Sequence, residues 1–496
     1  MERGCESPLL VKREEEEERE KGVGERFWDE SKKLWRVSAP AIFTRASTFG
    51  VSMVSQAYIG HIGGAAYLAA YSLTFTVLIR FCNAAMLGMA SGLETLCGQC
   101  YGAKQYHMLG IYLQRSWVVL MGVSLFLLPL YLFTTPILEA IGQTSEIAEV
   151  AGSVALWFLP IHFSYLLSFT CQMYLQAQSN NKVIVWFAAA AIVVHIVMCW
   201  VLGNGLGYGV TGVLSSNIVA YWIPVIGQLI YIFGGWCPLT WTGLSMAAFH
   251  DLWPIFKLSL SSGVMICLEL WYNTILVVLT GNLKDAKVAI DSLAICINMN
   301  GWEMMIAVGF LAGASVRVAN ELGGGNAGGA KFATMVVLFT SFALGCVLWV
   351  FFMVFRKEVA YIFTDDKQVR DAVIDLSFLL AFSVLLNSVQ PVLSGVAIGA
   401  GWQSTVAYVN ITCYYIVGIP LGLILGYLFD KGVKGIWIGM LCGTAAQTLV
   451  LAFITYRTDW NKQVENSRER VDKWYMPSTK AEPSASNGNV AGQQNA

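Results

Sequence analysis

Long apolar stretches alternate with short polar breaks along nearly the whole chain. A bilayer core takes roughly 20 helical residues to cross, at about 1.5 Å each. On that measure the pattern predicts twelve transmembrane helices, at residues 37–60, 66–93, 114–134, 148–176, 180–202, 210–234, 255–281, 288–313, 333–356, 369–398, 405–429 and 433–457. Spans 1 and 2, 4 and 5, and 7 and 8 are separated by very short loops, so each pair runs antiparallel. Five consecutive acids, Glu14 to Glu18, repel one another and stay solvated. The far end is polar and rich in Ser, Asn, Gly and Gln. The expected organisation is a disordered segment over 1–33, a first lobe over 34–235, a second over 236–458 and a disordered tail over 459–496.

Composition narrows the class. Of 496 residues, 56% are hydrophobic and 13% charged, against about 25% charged in a soluble chain. A surface facing lipid has no use for the missing charge. The net charge of −1 gives no basic field for nucleic acid. Most of the twelve Cys lie inside apolar runs, where they act as small hydrophobes. Cys97-Gly-Gln-Cys100 has no second pair to complete a metal site. No Gly-Lys dipeptide occurs, which excludes a Walker A loop, and neither H-E-x-x-H nor G-x-S-x-G is present. The expectation is a carrier rather than an enzyme, with no cofactor and no catalytic or metal-binding set.

Lys and Arg set the orientation. With both termini on one side, that side carries 21 of them and the other side eight. The excess predicts cytosolic termini.

An internal repeat then organises the spans. Gly102 and Gly325, in the loops after spans 2 and 8, are 223 residues apart. Gly209-Val210-x-Gly212 before span 6 recurs as Gly432-Val433-x-Gly435 before span 12, at the same offset of 223. Six spans per half is an even number, so the halves share one orientation, and their pseudo-two-fold axis lies along the membrane normal. Such an axis places a cleft between two six-helix lobes.

Ionisable groups at membrane depth are costly and mark function by default. Arg80, Glu269 and Glu303 lie near the midplane, and Arg45 is shallower. Arg80 and Glu303 are again 223 apart. Equivalent sites facing the axis would oppose each other across the cleft, paired or competing for a ligand; the other possibility is a fixed partner for each within its own lobe. Glu269 and Asn273 share a face of span 7. A carboxyl group in apolar surroundings suits a coupling role, because it can take a proton on the acidic side and release it on the other; alternatively Glu269 is a permanently protonated hydrogen-bonding group. Asn298 and Asn300 on span 8, and Asn387 four residues before Pro391 on span 10, are either interhelical contacts or substrate contacts. His162 and His195 read as satisfied polar groups rather than proton relays. Pro40, Pro160, Pro224, Pro391 and Pro420 mark possible kinks.

Several segments carry a resemblance. Leu93-Glu94-Thr95-Leu96-Cys97-Gly98-Gln99 with Tyr101-Gly102-Ala103, Ala314-Ser315-Val316-Arg317-Val318-Ala319-Asn320-Glu321-Leu322-Gly323, and Ser394-Gly395-Val396-Ala397 with Gly401-Trp402-Gln403 resemble the plant branch of the multidrug and toxic compound extrusion (MATE) family. Leu268-Glu269-x-Trp271-Tyr272-Asn273 and Trp302-Glu303-Met304-Met305 are similar to its detoxification proteins near the transparent-testa flavonoid transporters. The resemblance implies an all-α fold of twelve helices in two lobes and cation-coupled efflux of organic solutes by alternating access, driven by a proton gradient. It implies a span-7 acid, matched by Glu269, and a span-10 acid, which falls on Asn387 and is missing. The span-1 acid of prokaryotic members is missing too, with Ser55 near that place. Glu303 is then the candidate to replace the span-10 acid. Arg80, Tyr272, Asn273, Asn298 and Asn387 are the candidate cleft residues.

The expected activity is proton-coupled antiport of flavonoids, alkaloids or xenobiotics, by a monomer in the vacuolar membrane or, second, the plasma membrane. Its partners are the bilayer, protons and a small organic solute. A passive anion channel on the same scaffold, with Arg80 and Arg45 attracting anions, is the competing reading.

Overall fold

A computed structural model describes residues 22–280, 286–363 and 366–473. Among these residues every regular element is a helix. Ten helices are long and apolar enough to cross a membrane, and the pair Ser145–Trp157 and Leu159–Ala177, bent by 45° ahead of Pro160, makes eleven. The twelfth expected span, 37–60, is helical within Val23–Leu73 but falls outside that set. Arg45 and a row of hydroxyls make it too polar. Those hydroxyls are answered locally: Thr44 Oγ1 donates to the Pro40 carbonyl at 2.8 Å and Ser55 Oγ to that of Val51 at 3.0 Å. Gly64, at φ +75°, breaks this long helix and sets off the start of span 2.

The repeat is visible in the backbone. Gly209 and Gly432 both take a left-handed φ, +60° and +56°. Three residues on, Gly212 packs on the backbone of Leu202, and Gly435 packs in the same way on Leu425. Each member of this arrangement recurs at the same offset, so the two lobes share one local design.

The lobes meet along a seam on the side that carries both termini. The second part of span 2 (Arg80–Gly102) presents glycines to the second lobe, and a Cβ on Gly88 would come within 2.7 Å of the Gly263 Cα. Thr95 Oγ1 donates to the Ile398 carbonyl at 2.6 Å, Gln99 Nε2 to that of Gly399 at 2.9 Å, and Gln403 Nε2 to Thr95 Oγ1 at 2.8 Å. Backbone contact this close leaves no room for a solute, so this end is sealed.

Both terminal segments differ from the expectation of disorder. Residues 23–33 begin the first helix and dock on the second lobe. Arg317 on span 8 holds both carboxylate oxygens of Glu30, at 2.7 and 3.0 Å, and also reaches Glu321 at 2.5 Å. After span 12, Trp460–Lys473 forms a further helix. It buries Trp460, Ser467 and Val471 and extends Arg470 to Gln99 Oε1 on span 2 at 2.8 Å. Burial pulls the Arg470 guanidinium below the usual arginine value. The expected disordered stretches over 1–21 and 474–496 lie outside the described residues.

Candidate functional site: a cleft and a broken helix

Span 10 is broken where the site lies. Lys367–Asn387 ends, and Gln390–Ala400 begins after two turn residues. Pro391 is the cause: it has no N–H to donate to the carbonyl four residues back, and its ring crowds that carbonyl, which belongs to Asn387. The break frees the polar groups on either side of it to face neighbouring helices.

Glu303 and Glu269 both use those groups. Asn387 Nδ2 donates to Glu303 Oε2 at 3.2 Å and lies 3.0 Å from Asn300 Oδ1. Glu303 is 5% exposed and points into its own lobe. Glu269 on span 7 is half-buried and faces the Gln390 side chain on the other flank of the break. Gln390 is itself buried and donates to Ser394 Oγ at 3.2 Å. Two carboxyl groups from two helices thus converge on one interruption, Glu303 bonded to Asn387 and Glu269 standing beside Gln390. The side chain at 387, where the resemblance placed a missing acid, is the one that holds Glu303.

The expected face-off of Arg80 with Glu303 takes a different form. Gly98 of span 2 meets Ala319 of span 8, and counting back along these parallel helices puts Arg80 level with Gly301. The two groups therefore share a depth. Yet Arg80 is exposed while Glu303 is turned inward to Asn387, and no ion pair joins them among the described residues. In this state the carboxyl group has a partner within its own lobe.

Asn298 and Asn273 are exposed. Asn298 lies one turn from Trp302, whose ring meets Phe49 of the first lobe edge-on at 4.9 Å. On span 7, Trp271 meets Phe81 at 5.8 Å. These two aromatic contacts floor the cleft above the seam. Arg80, Asn273 and Asn298 stand beyond them on the side away from the termini. Asn273 also donates to the Glu269 carbonyl at 3.1 Å.

Tyr272, expected in the cleft, is a correction. It is 2% exposed, stacks on Tyr414 with centroids 4.2 Å apart, and donates to the Met440 carbonyl at 2.7 Å. Its neighbours Trp271 and Asn273 face out, and helical rotation turns the residue between them into the lobe.

Both histidines are satisfied in the first lobe. His195 sits 3.1 Å from Ser55 Oγ and 2.8 Å from Ser216 Oγ, and His162 sits 3.2 Å from the Tyr131 hydroxyl and 3.1 Å from the Ser124 carbonyl.

Three residues were not singled out in the sequence. Gln390 lies beside Glu269, and Glu269 in turn is close enough to act on the Tyr414 hydroxyl. Glu94 is 3% exposed at the seam. An acid inside an otherwise apolar run is a signal for Glu94, but a search confined to the midplane passes over it.

Comparison with known proteins decides the family. The MatE family model matches the chain twice, over residues 40–201 and 262–424. The chain belongs to the MatE family. The two matches start 222 residues apart and end 223 apart, so the family unit is the repeat itself. The chain is 60% identical over 465 residues to Protein DETOXIFICATION 21 of Arabidopsis thaliana, covering 94% of each, and 59% identical over 472 residues to DETOXIFICATION 20 of the same plant, covering 95% of this chain and 96% of that one. Its fold matches the crystal structure of the eukaryotic MATE transporter AtDTX14 with a TM-score of 0.84 at 33% identity, over 90% of this chain and 99% of that one. As a plant MATE protein of the detoxification group, the chain is a multi-pass membrane efflux transporter and not an enzyme.

Proposed function

We propose that this MATE protein exchanges protons for organic solutes by alternating access, with Glu269 and Glu303 as the coupling groups. The observation that carries the proposal is the convergence of both carboxyl groups on the break in span 10, Glu303 through Asn387 and Glu269 toward Gln390. A carboxyl group there can hold a proton or accept a hydrogen bond or positive charge from a solute, but not both at once. Competition of that kind gives exchange rather than co-transport. The solute class that fits is a flat aromatic carrying hydroxyl groups or positive charge, as in flavonoids and alkaloids, since it must donate to the acids and lie against Trp271 and Trp302.

The seam closes the termini side, and the Lys and Arg balance supports a cytosolic placement of that side. The conformation is then open to the lumen or cell exterior, ready to release solute and load protons. The vacuolar membrane is the proposed location, the plasma membrane the second. The protein works as a monomer with no cofactor, since each lobe supplies half of one cleft. The exposed Arg80 favours a second reading, passive anion conduction, but a pore must be continuous and the seam opposes one. The test is solute flux into vesicles under an imposed pH gradient. Transport that collapses in Glu269→Gln and in Glu303→Gln supports the proposal; undiminished flux in both overturns it.

A further inference from the structure

A third acid lies away from the cleft. Glu94, on span 2, is 3% exposed at the seam between the lobes. Its Oε1 has no hydrogen-bond partner. Facing it from span 8 of the other lobe is Ser315, fully buried, whose hydroxyl is also unpartnered. The ionisable group that acts on the Glu94 carboxyl group is Arg45 of span 1, whose guanidinium instead lies over the Phe169 ring of span 4 at 5.4 Å. On its own helix the nearest ionisable group is Cys97, a buried thiol one turn away. No ion pair joins Arg45 and Glu94 among the described residues.

The equivalent position in the other lobe shows what a satisfied charge looks like. Shifting Glu94 by the repeat offset of 223 gives Arg317, which is held by both oxygens of Glu30 and by Glu321. Glu94 has nothing of the kind. A carboxylate buried at a protein seam without hydrogen bonds or a contacting cation is strongly disfavoured. A neutral carboxyl group avoids most of that cost.

We propose that Glu94 is a proton-binding group of the seam, neutral while the lobes are closed and ionised beside Arg45 once they part. Closing then takes up a proton from the termini side and opening returns it there. The sign follows directly: the closed state binds protons more tightly, so low pH on that side favours closure and rising pH favours opening. This goes beyond the coupling proposed at Glu269 and Glu303 and does not depend on it.

The test is a pH titration of the distance between spin labels on the termini-side ends of spans 3 and 9, in the full chain in lipid nanodiscs. The expected wild-type result is a closed fraction that falls as pH rises. Glu94→Gln, which keeps the shape of the side chain but cannot ionise, stays closed across the range. The response persists in Glu269→Gln/Glu303→Gln, which separates it from coupling in the cleft. A pH-independent wild type or a Glu94→Gln titration like the wild type's overturns the proposal.

Discussion

Asn387 Nδ2 lies 3.2 Å from Glu303 Oε2, across the gap that Pro391 opens in span 10. An amide on span 10 and an acid on span 8 here stand in for the pattern in which span 10 itself supplies the acid. The pair predicts that the acid can change sides. Glu303→Gln alone should cut pH-driven transport at least tenfold, the effect of about 1.4 kcal/mol or more in the coupled step. Adding Asn387→Asp restores the same acid and amide in exchanged positions and should recover much of it. Vesicle flux measures both; a double variant no better than the single one counts against a shared site.

Tyr272 gives a prediction of the opposite kind. Its hydroxyl serves the Met440 carbonyl and its ring stacks on Tyr414. Tyr272→Phe should lower stability by about 1–2 kcal/mol through the unpaired buried carbonyl and leave the solute KM unchanged. Thermal unfolding in detergent and transport kinetics check the two halves. A changed KM with unchanged stability would return Tyr272 to the cleft.

Much of this was legible in the sequence, for physical reasons. A loop glycine with positive φ, such as Gly209 or Gly432, and a glycine forced by close packing, such as Gly212 or Gly435, are difficult to replace, so the repeat survived in them. Pro391 announced the break. Less legible was direction. Spacing along a helix places Glu303 and Arg80 at one depth, but a small rotation decides whether a side chain meets the cleft or its own lobe, and Glu303 turned inward. The terminal helices were obscured by their charge. Trp460, Val464, Ser467 and Val471 recur at helical spacing and end on one docked face, a stripe that a reading by composition alone overlooks.

Those terminal helices tie the lobes together on the sealed side. Glu30 belongs to the first helix and Arg317 to span 8, and both are largely buried. Removing one member of a buried pair costs about 3–5 kcal/mol when the other charge is left alone, and less here because Arg317 keeps Glu321. Glu30→Gln should therefore weaken the seam and raise the accessibility of a cysteine introduced there to a thiol reagent. Glu30→Arg with Arg317→Glu should restore part of the protection. Equal labelling in wild type and Glu30→Gln would show that the pair does not hold the seam.

The glycine contacts make a steric prediction. A Cβ at Gly92 would come within 2.7 Å of Ser259 Oγ and 3.1 Å of its Cα, a backbone atom that cannot swing away. Gly92→Val should hold the lobes apart on the termini side and slow transport while the protein still folds, since each lobe keeps its own core. Spin-label distances across the seam should lengthen in this variant. Distances equal to those of wild type, with normal transport, would contradict close packing as the seal.

The central claim is exchange of protons for solute at the break in span 10. Its most direct measurement is simultaneous recording of solute uptake and proton release from proteoliposomes with an acidic lumen. The account predicts alkalinisation of the lumen that tracks solute entry, requires solute, and disappears in Glu269→Gln/Glu303→Gln. Solute uptake with no accompanying proton movement, or proton movement unchanged in that double variant, would contradict it.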